Sequence, residues 1–377
     1  MKKPFLRRLT KKILLITNTI IAILFIIGVN VKYFDPQYWW FLSLFTLLLP
    51  YLLLLLVFFI LFWLLLKPFW ILISLAAILI SLHAVQNIFA MHFPQEFSLR
   101  KTEGNIRVMS WNLELLNILH YKDRPEVKQQ ILDLINKYNP DVACFQEMVA
   151  GESKKAINYF PDIEKALHFT DYLYSYRVRD DFDKNHHYGI IIFSKLPIIR
   201  KQTLVNNPNS YNSTFQFVDI LAGTDTFRIF NIHLQSLKFS QTNMNYLDKG
   251  TVPAEGNISE SKNIISKIKQ GIIKRASQAV FIKDELNHSP YPVIVSGDFN
   301  DVPVSYAYET IGEGLRNAFV EKGSGVSRTF SSISPTLRID NIFADKNFRI
   351  IQFARIKKLL SDHFPIVADM KYESSNP

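Results

Sequence analysis

The chain changes character once, near residue 100. Between residues 13 and 90 it is almost unbroken Leu, Ile, Phe, Val and Ala, whereas from residue 105 onward apolar and polar positions alternate with the periods of strands and helices. Three apolar segments can be drawn, about 13–31, 40–66 and 69–90. Each supplies the ~20 residues that carry a helix across a ~30 Å hydrocarbon layer. Three transmembrane helices are therefore predicted. Residues 91–104, with Pro94, Glu96, Arg100 and Gly104, read as a linker. The division expected is a membrane region, 1–100, followed by a soluble domain, 101–377.

The soluble part begins with a strand, Asn105–Trp111. A helix over Pro125–Tyr138 follows, with Val127, Ile131, Leu134, Ile135 and Tyr138 on one face, Asp123 as a cap and Pro125 in the first turn. Val142–Gln146 reads as a short buried strand. Tyr172–Val178 and Gly189–Ser194 are further strands, the second ended by Pro197. Thr214–Leu221 and Thr226–Leu234 form a hairpin over Ala222–Asp225. Ser259–Leu286 is a long helix, apolar at Ile264, Ile265, Ile268, Ile272, Ala276, Ala279 and Val280. The strands Val293–Ser296, Arg338–Ala344, Phe348–Ile356 and His363–Tyr372 complete the set. Many strands with few helices suit an α/β fold of two stacked sheets with helices outside.

Charge sharpens the membrane reading. Residues 1–100 hold nine Lys/Arg against two acids, net +7, while 101–377 are near neutral at +3. Lys2, Lys3, Arg7, Arg8, Lys11 and Lys12 precede the first apolar segment, so that end is expected in the cytoplasm. Three crossings then leave the soluble domain outside the cytoplasm, in a plasma or inner membrane; the same holds if the second and third segments form one re-entrant hairpin, and the orientation reverses if one segment is only interfacial. The basic balance thus belongs to the membrane flank and argues weakly for nucleic acid. One cysteine, Cys144, rules out an internal disulfide and reads as a core thiol. His83, inside the third segment, reads as a neutral histidine near a helix end.

Polar groups recur where strands close. Asn112 follows Val108-Met109-Ser110-Trp111, and Glu147 follows Cys144-Phe145-Gln146. His233 stands in Phe230-Asn231-Ile232-His233-Leu234. Asp298 and Asn300 stand in Ser296-Gly297-Asp298-Phe299-Asn300, Asp340 follows Arg338-Ile339, and Ser361-Asp362-His363 precedes the last apolar run. Such carboxylate, amide and imidazole groups suit a hard divalent cation, Mg²⁺, Mn²⁺ or Ca²⁺. Phosphoester hydrolysis needs a metal to neutralise oxygens, a positioned water and donors for developing charge. No phosphate-binding glycine loop, serine-hydrolase elbow or zinc-protease spacing occurs. His186 and His187 read as loop residues; Arg275 and Gln278, one turn apart on the long helix, read as a solvated helix face, with a contact to a substrate-facing loop as the alternative.

In this order, the motifs Trp111-Asn112, Gln146-Glu147, Asn231-Ile232-His233-Leu234, Gly297-Asp298-Phe299-Asn300, Ile339-Asp340 and Ser361-Asp362-His363 resemble the endonuclease/exonuclease/phosphatase superfamily over about residues 105–372. The resemblance implies a four-layer α/β sandwich hydrolysing phosphoesters with a divalent metal. It implies Glu147 as main metal ligand, helped by Asn112, with Asp362 near or at a metal position. Asp298 would orient or deprotonate the attacking water, and Asn300 would hold it or a phosphate oxygen. His363, oriented by Asp340, would contact the scissile phosphate, and His233 would bind a phosphate oxygen. Which of Asp298 and His363 is the base stays open. DNA, a phospholipid and an inositol phosphate are the substrate classes in view, with the lipid bilayer as a second partner. A different class, a non-catalytic membrane receptor that keeps the fold as a binding module, is the alternative. Residues 236–257, polar and poorly patterned, are a candidate lid.

Overall fold

The structure is a computed structural model that describes residues 2–116, 124–151, 158–177, 186–210, 212–237 and 258–373. The helix cap expected at Asp123 and the candidate lid beyond residue 237 lie outside them.

Two mixed six-stranded sheets are stacked and flanked by helices. The first contains β2 (Asn105–Asn112), β3 (Val142–Gly151), β4 (Asp171–Tyr176), β5 (His186–Ser194), β13 (Phe348–Arg355) and β14 (Ile366–Tyr372), in the order β13-β14-β2-β3-β5-β4. The second contains β6 (Ile198–Val205), β7 (Thr214–Ala222), β8 (Asp225–His233), β9 (Val293–Asp298), β10 (Leu315–Asn317) and β12 (Asp340–Asp345), in the order β10-β12-β9-β8-β7-β6. Each sheet has one parallel pair near its centre, β2 with β3 and β8 with β9. The layer between the sheets is apolar, built from Val108, Val142 and Ile192 on one side and Val218, Ile229 and Ile294 on the other. Helices Glu126–Tyr138 and Phe160–Leu167 cover the outer face of the first sheet. Helices Ile258–Asn287 and Tyr306–Gly312 cover that of the second.

A polar latch crosses the apolar layer beneath the strand ends. Gln146 Nε2 donates to Asn231 Oδ1 (2.7 Å), and Asn231 Nδ2 donates to the Phe145 and Ile191 carbonyls (3.0 and 2.9 Å). Buried amide bonds of this kind fix the register of one sheet over the other, although Gln146 Oε1 is left without a partner.

Local chemistry explains the departures from the predicted elements. Glu126–Tyr138 ends at Asn139, whose left-handed φ of 48° and N–H to the Ile135 carbonyl (2.8 Å) stop the helix. β6 was not predicted because its run Arg200-Lys201-Gln202 hides the alternation; it is an exposed edge strand, where charge blocks further pairing. The last strand starts at Ile366 rather than His363, since Pro365 has no N–H to give the ladder. His186 and His187 are corrected from loop to strand: both belong to β5, and His187 stacks on Tyr176 (4.1 Å). In the long helix Ile265 and Val280 are exposed, not core.

The N-terminal region holds two helices long and apolar enough to cross a membrane, Phe5–Val29 and Pro36–Leu66. A third apolar stretch is broken, Pro68–Ile80 and Leu82–Ile88 meeting at 76°, so the spans number two or up to three. Val304 of the sandwich packs into the same apolar cluster as Phe25, Leu49 and Trp63. The segment after the helices is docked. Ala90–Met91 (β1) pairs with Ser324–Gly325 (β11), and Phe97 lies on Tyr138. The buried Arg107, in ion pair with Asp369, also donates to the Ser98 and Leu99 carbonyls (3.0 Å each).

Candidate active site

The polar groups singled out in the sequence converge at one end of the two sheets. β2 and β3 deliver Asn112 and Glu147 from the first sheet. β8, β9 and β12 deliver His233, Asp298 and Asp340 from the second, and the turn before β14 delivers Asp362 and His363. Asp298 reaches the centre because Gly297 lets β9 press against β8. A Cβ at Gly297 would stand 2.0 Å from the Ile232 carbonyl oxygen, and its φ is 147°. Glu147 sits on a bulge in β3, between Phe145 and Met148 in the pairing with β5, at a φ of 51°. The extra residue turns its carboxylate out of the sheet toward the cleft.

Asp298 is the hub. Its Oδ1 accepts from the Asn300 backbone N–H (2.8 Å), and its Oδ2 accepts from Asn112 Nδ2 (3.1 Å) and Asn300 Nδ2 (3.2 Å). The ring nitrogens His233 Nε2 and His363 Nε2 stand 3.5 and 3.8 Å from Asp298 Oδ2. His233 Nε2 is also 3.8 Å from Glu147 Oε1. On its other side His363 is fixed through Nδ1, 2.9 Å from Asp340 Oδ2. Asp340 and Ile339 are held in turn by Thr329, whose hydroxyl accepts from both backbone N–H groups (3.0 and 2.9 Å). Trp111 Nε1 donates to the His363 carbonyl (2.9 Å), and Ser361 Oγ donates to that of Asn112 (2.7 Å), tying the Ser-Asp-His turn to β2.

Burial polarises the ionisations. Desolvation raises the Glu147 carboxyl, against the attraction of His363, and Asp298 adds repulsion. Asp298 is likewise raised, first by burial, then by Asp340 against the pull of His363 and His233. Burial pushes Asp362 up to about 7, helped by the nearby Glu114, Glu147 and Asp298 charges. Burial lowers His233 to about 4, which leaves a neutral imidazole. Burial opposes charge on His363 too, but Asp340, Asp298 and Asp362 outweigh it, so its pKa lies well above the ordinary value. One end of the cleft is thus a protonated imidazole, and the other a group of crowded carboxylates.

Several residues of the site were misplaced or missed by the sequence reading. Arg275 and Gln278 are corrected from a solvated face to a buried one. Gln278 accepts from the Gln235 N–H (2.8 Å) and donates to the Asn212 carbonyl (2.7 Å), and Asn212 Nδ2 meets His233 Nε2 at 3.4 Å. Arg275 pairs with Asp301 (3.0 Å) and donates to the Gln235 carbonyl (3.1 Å). Both brace the strand end that carries His233. Glu114 accepts from the Asp362 N–H (3.0 Å), and Tyr188 hydrogen-bonds Glu147. Their residue types recur all over the chain, and only the fold selects them. Arg338 does not pair with Asp340; it donates to the Asn87 and Val326 carbonyls and stacks on Phe319 (3.8 Å).

The donor set fits a divalent cation. Glu147, Asp298 and Asp362 repel one another and are held above their ordinary range, a crowding that a cation relieves. Asp298, Asp340 and His363 also lie with ligand atoms within 4.8 Å of one another. In that trio Asp340 Oδ2 already holds His363 Nδ1, while Asp340 Oδ1 is buried without a hydrogen-bond partner; the carboxylates of Glu147 and Asp362, with Asn112 beside them, enlarge the donor set.

Residues 109–363 match the sequence profile described as Endonuclease/Exonuclease/phosphatase family. Residues 11–88 match one described as Domain of unknown function (DUF8431). None of the curated proteins matches the chain. An endonuclease/exonuclease/phosphatase from Beutenbergia cavernae superposes with a TM-score of 0.52 at 16% identity, over 72% of this chain and 72% of that one. One from Bacteroides vulgatus gives 0.52 at 21% identity, over 72% of this chain and all of that one. A family protein from Bacteroides thetaiotaomicron gives 0.50 at 18% identity, over 71% and 98% of the two chains. At these identities the superpositions speak for the fold.

Proposed function

The chain belongs to the endonuclease/exonuclease/phosphatase family, and from that premise we propose a membrane-anchored, divalent-cation-dependent hydrolase of phosphoester bonds. The observation that carries the proposal is the convergence on Asp298 of an Asp340-held imidazolium, a neutral His233 and the carboxylates of Glu147 and Asp362.

Glu147, Asn112 and Asp362 would hold the cation, as Mg²⁺, Mn²⁺ or Ca²⁺. When bound, it would neutralise phosphate oxygens and acidify water. Asp298 is the general base of the proposal. Its pKa is raised toward the working range of a base, and Asn300 and Asn112 fix its oxygens. His363 is the charged donor to the phosphate, because Asp340 on Nδ1 leaves Nε2–H pointing toward the cleft. His233, neutral and braced by Asn212, donates to a second phosphate oxygen. This assigns the proton from water to Asp298 and the developing negative charge to His363.

The membrane reading draws on the same geometry. The first helix starts at the basic N-terminus and ends at Val29; just beyond, Lys32 pairs with Glu309 of the sandwich (3.0 Å). The N-terminus and the catalytic domain therefore lie at opposite ends of the helices, in keeping with an N-terminus in the cytoplasm and catalysis outside it. We place the boundary between the two parts near residue 100.

The test uses the full chain in detergent or nanodiscs. Hydrolysis of bis(p-nitrophenyl) phosphate, p-nitrophenyl phosphate, plasmid DNA, phospholipid and inositol phosphates is measured with Mg²⁺, Mn²⁺ or Ca²⁺. Turnover of one class, abolished by EDTA and by His363→Ala, is the result expected. No turnover by a folded, cation-binding protein would overturn the enzymatic reading and return the binding module.

A further inference from the structure

The turn carrying Asp362 and His363 does not end in open solvent. It runs antiparallel to residues 329–331: Phe330 bridges His363, the Ser331 N–H donates to the Asp362 carbonyl (2.8 Å), and the Phe364 N–H donates to that of Thr329 (2.7 Å), after which 332–334 turn back, the Ser334 N–H donating to the Ser332 carbonyl (2.8 Å). The next contact outward is with the membrane region, where Ser334 Oγ meets Tyr51 Oη at 2.9 Å. Counted back from Leu66, the ~20 residues that cross a bilayer begin at about residue 47. Tyr51 then lies one turn inside the boundary, the level at which tyrosine hydroxyls sit. The tips of the two active-site segments are therefore at the height of the lipid headgroups.

Those tips have the composition of a membrane-contacting edge. Ile333 is 49% exposed and Leu359 64% exposed, and the antiparallel run brings them to the same end. Ile333 holds a φ of 67°, a conformation that a β-branched residue rarely adopts. Lys357 and Lys358 are exposed beside Leu359. Arg328 and Arg355 stand together behind them: Arg355 Nη1 donates to the Arg328 carbonyl (3.0 Å), and its guanidinium lies over Phe364 (5.1 Å). None of these four cations has a carboxylate partner among the described residues. Asp362, the acid nearest in sequence to the two lysines, faces His363 Nε2 (4.0 Å), and Glu114 is engaged by the Asp362 N–H (3.0 Å). A lone exposed Leu needs no explanation, but an apolar pair beside four unneutralised cations at headgroup height does.

We propose that this edge, Ile333 and Leu359 flanked by Arg328, Arg355, Lys357 and Lys358, docks on anionic phospholipid headgroups and opens the catalytic cleft at the bilayer surface. The partner is an anionic lipid surface: phosphate oxygens meet the cations, and the two apolar side chains enter the interface. The inference rests on the membrane anchoring proposed above and not on turnover.

The native thiol allows a clean probe, because burial pushes Cys144 up to about 12 and leaves it unreactive. Leu359→Cys in the full chain, labelled with bimane, is reconstituted into phosphatidylcholine nanodiscs with or without phosphatidylglycerol. Headgroup-nitroxide lipid is the quencher, and Ile199→Cys, on the exposed edge strand β6, is the reference. The expected result is strong quenching at 359, weak quenching at 199, and an increase at 359 with phosphatidylglycerol. In Lys357→Gln/Lys358→Gln the anionic-lipid increment should shrink roughly fivefold for each charge removed, while hydrolysis of a soluble substrate stays unchanged. Equal quenching in the two lipids would overturn the headgroup recognition, and no quenching at 359 would overturn the docking. Flotation of the same sample with liposomes tests the anchoring separately. A protein that floats and hydrolyses but shows no quenching at 359 loses only this inference.

Discussion

His363 Nδ1 and Asp340 Oδ2 meet at 2.9 Å although they belong to different sheets, Asp340 opening β12 and His363 preceding β14. The pair closes the sandwich at its catalytic end, as the Gln146–Asn231 latch does beneath it. The carboxylate fixes the ring tautomer and the charge together, so the protonation of the site depends on how the sheets are stacked.

Asp340→Asn should therefore reduce kcat/KM by roughly 10²-fold or more, with the circular dichroism spectrum unchanged. The activity limb that reports His363 deprotonation should move to lower pH in the variant. Retained activity with an unshifted profile would remove Asp340 from the mechanism.

The metal-free protein should lose stability as pH rises above 6.5. The His363 pKa is raised by folding, so its contribution is full below 6.5 and is lost through the higher folded value. Asp362, raised from 3.8 to about 7, contributes in the same direction over a lower window, full below 3.8 and lost by about 7, and less strongly because its side chain is 39% exposed and screened. His233, lowered to about 4, is neutral in both states above 6.5 and adds nothing there. The slope cannot exceed about 1.4 kcal/mol per pH unit for each proton. Urea midpoints measured in EDTA, flat with pH or rising, would contradict this account.

Glu147→Gln should abolish the thermal shift that Mg²⁺ or Mn²⁺ gives the wild-type protein, and turnover with it. In EDTA at pH 8 the same variant should be more stable than wild type by about 1 kcal/mol, since it removes a half-buried carboxylate whose ionisation the fold disfavours. Calorimetric scans with and without cation read both effects. A variant that is destabilised in EDTA would refute the crowding.

Gln278→Leu should leave the Gln235 N–H and the Asn212 carbonyl unpaired, at a cost of about 1–3 kcal/mol for each buried group. Its turnover should fall through His233, which Asn212 contacts, and KM should change more than the pH profile. Unchanged turnover and stability would return this face of the helix to a passive role.

Arg338→Met tests the seam between the N-terminal apolar helices and the sandwich. It unpairs the Asn87 and Val326 carbonyls and leaves Phe319 without its stacked cation. Stability should drop by about 1–3 kcal/mol. Proteolysis within residues 91–104 should become faster, and activity should fall because Arg338 lies two residues before Asp340. An unaltered cleavage rate would mean that the seam is held elsewhere.

The sheets and the groups at their ends were legible because a strand's two-residue period and its terminal polar residue are local properties. Thr214–Leu221 and Thr226–Leu234 gave a hairpin, and the Gly297-Asp298 turn gave a carboxylate. What lay outside local reach was pairing across distance. Arg275 and Gln278 look like any polar face of a helix until Asn212 and Gln235 are brought to them. His186 and His187 look like loop residues until β3 supplies their partners. The third apolar segment counts as a span by length, and only its 76° bend at Ser81 distinguishes a broken span from a straight one.

Residues 91–104 were expected as a connector and are instead fastened to Ser324, Tyr138 and the Arg107 guanidinium. A free chain of that length would let the catalytic domain roam over ~20 Å. Fastened, it works as a ruler rather than a leash. Under the membrane-anchored hydrolase proposed above, the cleft would be kept at one altitude above the bilayer, and the protein would search by lateral diffusion and meet only those phosphoesters that stand at that height.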